Sequence, residues 1–227
     1  MAPVWLEVVS WIAIGVAVLC AAFILYDIFG RGYRQHMWIM EVVWPVTALY
    51  FGPLAIWSYK KWGRPQSQKW MEKNGDLPEK SFSATTSVGV SHCGAGCTLG
   101  DIVGATFVFL IGWEIAGMAL WPEYIVDYTL AFALGIAFQY YSIKPMQGLS
   151  PKQGIIAALK ADTLSLTSFE IGLFGWIAIM QFVLFPAGIH PNHVTYWFLM
   201  QIGMVLGFFT AFPVNWWLIK RGTKEPM

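Results

Sequence analysis

The chain has 227 residues, of which 57% are hydrophobic and only 12% are charged, with 13 tryptophans, 16 phenylalanines and a mean hydropathy of +0.55. Soluble domains carry about 25% charged residues, so this composition excludes an ordinary soluble protein and predicts a chain that lies mostly in lipid. The net charge of +1 gives no support for a nucleic-acid partner. Three cysteines are too few for a disulfide framework.

A helix that crosses a bilayer needs about 20 mostly apolar residues. The sequence contains six such segments, which are Trp5–Phe29, Trp38–Tyr59, Thr98–Trp121, Tyr124–Ile143, Leu164–Phe185 and Val194–Ile219. The predicted fold is an all-α polytopic membrane bundle of about six transmembrane helices arranged as three hairpins. Its predicted parts are a first hairpin (1–59), a polar cytoplasmic linker (60–90) and a four-helix transmembrane core (91–227) with an interfacial helix near 150–162.

The basic residues predict the orientation of the bundle. Twelve of the 14 lysines and arginines follow the second, fourth and sixth predicted spans, and only Arg31 and Arg34 fall on the other side. Cytoplasmic loops carry the excess of basic residues in membrane proteins. The sequence therefore predicts a multi-pass protein of the cell (inner) membrane with both termini in the cytoplasm.

The stretch Ser-His-Cys-Gly-Ala-Gly-Cys-Thr-Leu-Gly-Asp leads from the polar linker into the third predicted span. Cys93, Cys97 and Asp101 are spaced by four residues, so on a helix they share one face, and this face continues to Glu114. Thiols beside the imidazole of His92 are soft ligands that suit copper or zinc. The inner metal-site candidate consists of His92, Cys93, Cys97 and Asp101. The alternative is a glycine-rich helix start whose cysteines pack against small residues.

Ionisable and amide side chains inside the predicted spans form a second candidate set. Each charged group costs at least about 2.5–3.5 kcal/mol at the centre of a bilayer, so it faces protein or water. The candidates for an ion path are Glu41, Glu114, Glu170, Gln139, Gln181, Gln201 and Asp162. The alternative is that each of them is hydrogen-bonded to a neighbouring helix and only fixes packing.

Three histidines lie in predicted loops on the outer side and form a weaker metal-site candidate. His190 and His193 are three residues apart, and His36 is followed by two nearby methionines. Imidazole and thioether ligands suit copper, and imidazole alone also suits zinc. The alternative is that these histidines are plain surface residues.

The sequence shows no nucleophile elbow, P-loop, zincin or dinucleotide motif, so an enzyme is not favoured. The first hypothesis is a membrane protein that transports or senses a cation, foremost a soft metal such as copper. The second is a non-catalytic subunit or assembly factor, which binds other membrane subunits or a second copy of itself. The third is a thiol redox protein that uses Cys93 and Cys97.

Four motifs in the second half of the chain occur in a fixed order. They are His92-Cys93 with Gly96-Cys97 and Gly100-Asp101; Phe138-Gln139-Tyr140 with Pro145-Met146; Lys160-Ala161-Asp162-Thr163-Leu164-Ser165-Leu166; and Pro213-Val214-Asn215-Trp216-Trp217-Leu218-Ile219. In these motifs the chain, from about Ser91 to Lys224, resembles a family of multi-pass prokaryotic membrane proteins known as domain of unknown function 4396. The resemblance implies an integral membrane protein and transfers no mechanism.

Overall fold

The computed structural model describes residues 2–226, without the side chains of Pro145 and Met146. Over this range the chain forms eight α-helices, which confirms the all-α prediction. They are α1 (Val4–Leu25), α2 (Met40–Phe51), α3 (Pro53–Ser58), α4 (Gln68–Asn74), α5 (Phe82–Ile111), α6 (Leu120–Gln147), α7 (Pro151–Ile179) and α8 (Val194–Lys220). Single π-helical turns extend α1, α3 and α7 to Gly30, Gly63 and Leu184.

Four of the helical segments are long and apolar enough to cross a membrane. They are Val4–Gly30, Phe82–Ile111, Pro151–Leu184 and Val194–Lys220. The 28-residue α6 is similarly long but contains buried acidic residues, and it packs antiparallel against α5. The chain therefore has the helices of a membrane protein, but the predicted arrangement of six spans as three hairpins is not confirmed.

The difference lies in the predicted second span, which is two short helices that turn back on themselves. Gly52 separates α2 from α3 with φ 53° and ψ −125°, a conformation that residues with a side chain rarely adopt. The indole of Trp44 packs against Gly63 and lies 5.9 Å from the Tyr59 ring. Both ends of the α2–α3 segment therefore lie at one level, with Gly52 at its tip near Val16 in the middle of α1.

The base of this re-entrant hairpin is tied to the end of α1. The Tyr59 hydroxyl donates a 2.9 Å hydrogen bond to the buried Asp27, which also forms ion pairs of 3.0 Å with Arg31 and 3.2 Å with Arg64. Lys69 donates to the carbonyl oxygen of Arg31. The loop after α1 and the polar segment after α3 are consequently at the same end of the bundle.

This topology brings all 14 lysines and arginines to one end, which we call the basic end: the end where α1, α3, α6 and α8 finish and where α5 and α7 begin. At the opposite end, called the far end, Ser10 near the start of α1 lies 3.5 Å from Thr195 at the start of α8. The beginning of α1 and the end of α8 are thus at opposite ends of the bundle. The prediction that both termini share one side differs from this arrangement, because it counted the α2–α3 segment as a crossing.

The start of α5 lies earlier than predicted, and α7 begins at Pro151. The hydroxyl of Ser81 accepts a hydrogen bond from the Ala84 amide and caps α5, so the last nine residues of the predicted 60–90 linker are already helical. The side chains of Ser150 and Gln153 form a capping box at the start of α7. The predicted interfacial helix near 150–162 is therefore the continuous first part of α7.

Glycines set the distance between α5 and α6. A Cβ built on Gly96 would lie 2.8 Å from the Cα of Gly135, and one built on Gly100 would lie 2.6 Å from the Cα of Ala131. Both contacts are too short for a real side chain, so the two backbones meet directly. Small residues spaced by four allow such close packing between membrane helices.

Candidate functional site

Three carboxylates from three different helices are buried in the same part of the bundle interior. Asp101 of α5 and Asp127 of α6 are completely buried, and Glu170 of α7 is 1% exposed. They lie within electrostatic range of one another, and none of their six carboxyl oxygens has a hydrogen-bond partner among the described residues. We call these three residues the carboxylate cluster. An isolated ionised carboxylate is very costly to bury, so the cluster needs protons or a cation to balance its charge.

Two more polar side chains extend the cluster toward the far end. Glu123 is one helical turn before Asp127 in α6, and the buried hydroxyl of Tyr196, the third residue of α8, lies next to it. The Tyr196 hydroxyl and one Glu123 oxygen have no partner within the criteria for a hydrogen bond among residues 2–226. A fourth helix, α8, therefore contributes to the same interior.

The two cysteines of α5 lie on the other side of the cluster, toward the basic end. Cys93 and Cys97 are free and completely buried, and the thiol of Cys97 faces Glu170. At 1.5 Å per residue, Cys93 is about 17 Å inside α5, so the thiols are in the middle of the bundle rather than at its mouth. The hydroxyl of Tyr50, next to the tip of the re-entrant hairpin, is buried near both of them.

A second group of polar residues lies at the basic end. The Nζ atom of Lys224 donates to Asp162 Oδ1 at 2.7 Å and to Ser165 Oγ at 3.4 Å, and both residues of the ion pair are completely buried. Asn215 of α8 donates to the same Ser165 hydroxyl at 2.6 Å. The side chain of His92 lies nearby, with its Nε2 atom 3.3 Å from the hydroxyl of Ser142.

Except for Tyr50, these groups all lie within the part of the chain that one family model matches. Residues 84–224 match the model of the family described as domain of unknown function (DUF4396). The chain belongs to the DUF4396 family. The match confirms the resemblance found in the sequence motifs. No curated protein and no solved structure matches the chain significantly.

The DUF4396 region contains the whole carboxylate cluster and both residues of the Lys224–Asp162 pair, whereas α1 to α4 lie outside it. The fully buried Gln139 also belongs to this region, and neither its amide nitrogen nor its oxygen has a partner among the described residues. The polar interior is thus a feature of the family region itself.

The structure separates the inner metal-site candidates into two places. Cys97 and Asp101 lie near Glu170, whereas His92 points toward Ser142 and the Asp162 pair. Within the part of the chain that the structure describes, no group of three or more His, Cys, Asp or Glu side chains is placed to hold one metal ion. The inner metal site stays a prediction.

The three outer histidines are also split between the two ends. His190 and His193 lie exposed at the far end, where the His190 ring stacks on Phe109 with 6.3 Å between centroids. His36 lies at the basic end and lines a cavity of about 420 Å³ together with Met37 and Met40. The three imidazoles therefore cannot share one ion.

Several candidates for the ion path have other partners. At the basic end, Glu41 accepts hydrogen bonds of 2.6 and 2.8 Å from the Arg34 side chain and one of 3.0 Å from the backbone N–H of Gln35. Gln201 donates at 2.6 Å to the carbonyl of Leu49, which α2 leaves free where it ends. Gln181 donates to the Ile189 carbonyl at 3.3 Å. These three side chains hold the backbone in place.

Glu114 lies outside the bundle. Gly112 ends α5 in the left-handed conformation, and Glu114 follows in an exposed loop. The stripe that begins at Cys93 therefore leads to Asp101 and ends before it reaches Glu114.

Sequence reasoning missed three important members of the polar interior: Asp127, Tyr196 and Lys224. A signal for Asp127 was present, since it is an acidic residue inside the predicted span Tyr124–Ile143 and one turn after Glu123. Tyr196 and Lys224 gave no signal, because a tyrosine near a helix start and a lysine after a span are common in membrane proteins.

Proposed function

We propose that this protein moves a cation, foremost the proton, across the membrane along the buried polar groups between α5, α6, α7 and α8. The observation that carries the proposal is the carboxylate cluster, whose six buried oxygens have no hydrogen-bond partner among the described residues. Chains of buried acidic side chains are typical of proton relays in pumps and transporters. The proton suits this arrangement best, because one carboxyl oxygen binds it without further ligands, whereas a copper or zinc ion needs several converging ligands.

The depth of the polar groups supports a path rather than an isolated site. Glu123 and Tyr196 lie near the far end, the carboxylate cluster follows, and Cys97 leads on toward the middle of α5. His92 and Asp162 continue the series to the basic end, where Asp162 is paired with Lys224. A proton would pass between successive groups by way of water or side-chain motion.

The re-entrant hairpin adds support of a different kind. Backbone that is not helical occurs at membrane depth only where it is buried in protein or lines a cavity. Gly52 lies at this depth and lines a cavity of about 400 Å³ with Tyr50 and Gln201. Broken helices of this kind are a feature of transporters, in which they form binding sites near the middle of the bilayer.

The distribution of charge supports an orientation in the cell membrane. All 14 basic residues are at the basic end, and cytoplasmic loops carry such an excess. We therefore propose that the basic end faces the cytoplasm and that α1 begins on the outer side. The carboxylate cluster then lies in the outer half of α5, and the Lys224–Asp162 pair lies at the cytoplasmic end.

The test is a proton-flux assay on the full chain in liposomes that contain a trapped pH-sensitive dye, with potassium and valinomycin to cancel the membrane potential. We expect the protein to dissipate an imposed pH gradient faster than empty liposomes do, and Asp101→Asn, Asp127→Asn and Glu170→Gln each to remove most of the flux. Glu114→Gln, which neutralises an exposed loop carboxylate, is the matched control and retains it. Equal rates for protein-containing and empty liposomes would overturn the proposal.

A soft metal such as copper is the alternative cargo, with Cys93 and Cys97 as its ligands. A metal ion bound by these two thiols would lie beside Glu170, which faces Cys97. Metal analysis of the purified protein separates the two cargoes. Stoichiometric copper or zinc that disappears in Cys93→Ser/Cys97→Ser would favour the metal over the proton.

A further inference from the structure

The side chain of Lys224 is buried in an unusual way for a lysine that follows a membrane helix. Lysines at helix ends normally extend toward water. Lys224 is instead 1% exposed, and its ammonium group points into the bundle between α7 and α8. Its contacts with Asp162 and Ser165 replace the hydration of the ammonium group by protein oxygens.

The segment that carries Lys224 is held in place from both sides. A turn at Gly222, with φ +68°, reverses the chain after α8. Glu225 then accepts a 2.9 Å hydrogen bond from Gln147 at the end of α6. These contacts lie at the exposed surface, so they are weak compared with the buried ion pair. The segment 221–226 thus covers the basic end of the polar interior through one deep anchor.

We propose that the pocket formed by Asp162, Ser165 and Asn215 is a cation-binding site at the basic end of the path, and that Lys224 is a tethered ammonium group that occupies it. Occupation by Lys224 excludes a free cation from Asp162, so withdrawal of the segment opens the path. The role of Lys224 in closing the path rests on the proposed function, whereas the cation site itself does not.

The pocket offers more acceptors than the lysine uses. An ammonium group has three protons, and Lys224 donates to only two oxygens. Asp162 Oδ2 and Asn215 Oδ1 are both buried without a hydrogen-bond partner among the described residues. A carboxylate with further neutral oxygens around it is the donor set that hard monovalent cations and primary ammonium ions prefer.

The test measures access to the pocket directly. In the detergent-solubilised full chain, Ser165→Cys places a thiol beside the ammonium group, and intact-protein mass spectrometry follows its alkylation by iodoacetamide. We expect alkylation of Ser165→Cys/Lys224→Ala to be at least about tenfold faster than that of Ser165→Cys, because the open population increases. The matched control is Ser165→Cys/Lys220→Ala, which removes an exposed lysine from the end of the same helix and leaves the rate unchanged. Lys224→Ala alone corrects for reaction at the native cysteines.

Chemical rescue then tests the cation site. Ethylammonium carries the same charged group as the lysine, so we expect millimolar concentrations to slow the alkylation of Ser165→Cys/Lys224→Ala. Tetramethylammonium has no N–H donor and should not protect. Protection should also disappear when Asp162→Asn is added. A thiol at position 165 that reacts equally fast with and without Lys224 would overturn the closure, and the absence of ethylammonium protection would overturn the cation site.

The liposome assay connects this inference to transport. Lys224→Ala should increase proton flux severalfold over the unmodified chain, whereas Lys224→Arg, which keeps the charge, should not. If no variant conducts protons while ethylammonium still protects position 165, the cation site holds and the proposed function fails. If the unmodified chain conducts protons and Lys224→Ala conducts them at the same rate, the role of Lys224 as a closure is overturned and the proposed function stands.

Discussion

The carboxylate of Asp127 in α6 occupies the space that a side chain at Gly104 of α5 would fill. Gly104 continues the series of Gly96 and Gly100, at which the two helix backbones meet. The close packing of α5 on α6 and the position of a member of the carboxylate cluster therefore depend on the same glycine pattern.

The first prediction is that Gly104→Ala displaces Asp127 and destabilises the bundle. Overpacking of a tight contact costs about 1–3 kcal/mol, so we expect a lower thermal midpoint together with a loss of proton flux. Both are measured on the purified chain, by thermal unfolding in detergent and by the liposome assay. Gly175→Ala in α7 is the control, because nothing lies within 4 Å of a Cβ built there. Equal stability and flux in the two variants would contradict the role of Gly104.

The second prediction concerns the re-entrant hairpin. Cysteines introduced as His36→Cys and Lys73→Cys should react with a membrane-impermeant maleimide from the same side of the membrane, and His190→Cys should react from the other side. All three positions are exposed, so access depends only on topology. Labelling of positions 36 and 73 from opposite sides would mean that the segment between them crosses the membrane.

The length and hydropathy of the apolar runs predict those helices that are long enough to span a bilayer. The apolar runs that became α1, α7 and α8 were each long enough to span a bilayer, and the structure has helices there. Hydropathy does not distinguish a span from a hairpin of the same length, so Trp38–Tyr59 was predicted as one helix. The only local signal of its reversal was the Gly52-Pro53 pair, in which glycine permits the turn and proline starts the next helix.

The sequence predicts only part of the candidate site, because spacing along one helix does not show which residues of other helices face it. Helical spacing correctly placed Cys97 and Asp101 on one face, but it could not show that Glu170 of another helix faces them. Helix packing determines which residues face each other across helices. The carboxylate of Asp127 lies in the space that the absence of a side chain at Gly104 leaves open. Conversely, Glu41 is a predicted member of the path because it is an ionisable residue inside the predicted second span, whereas the structure pairs it with Arg34.

The third prediction is that the two thiols of α5 are unreactive in the folded protein. Cys93 and Cys97 are completely buried, so alkylation by iodoacetamide should be at least about a hundredfold slower in mild detergent than in sodium dodecyl sulfate. A cysteine introduced as Glu114→Cys in the exposed loop gives the reference rate. Fast alkylation of the native thiols, or a disulfide between them under mild oxidation, would instead support the thiol redox hypothesis.

The fourth prediction is a strong non-additivity between positions 162 and 224. Asp162→Leu leaves the Lys224 ammonium group buried without a charged partner, and breaking a buried pair in this way costs about 3–5 kcal/mol. Lys224→Met leaves the carboxylate instead, although a proton or a cation can neutralise it and reduce the cost. The double variant Asp162→Leu/Lys224→Met removes both charges, and replacing a buried pair by apolar side chains is often neutral or stabilising. We therefore expect thermal unfolding to give a large loss for Asp162→Leu and recovery in the double variant. Additive losses would mean that the two side chains do not interact in the folded protein.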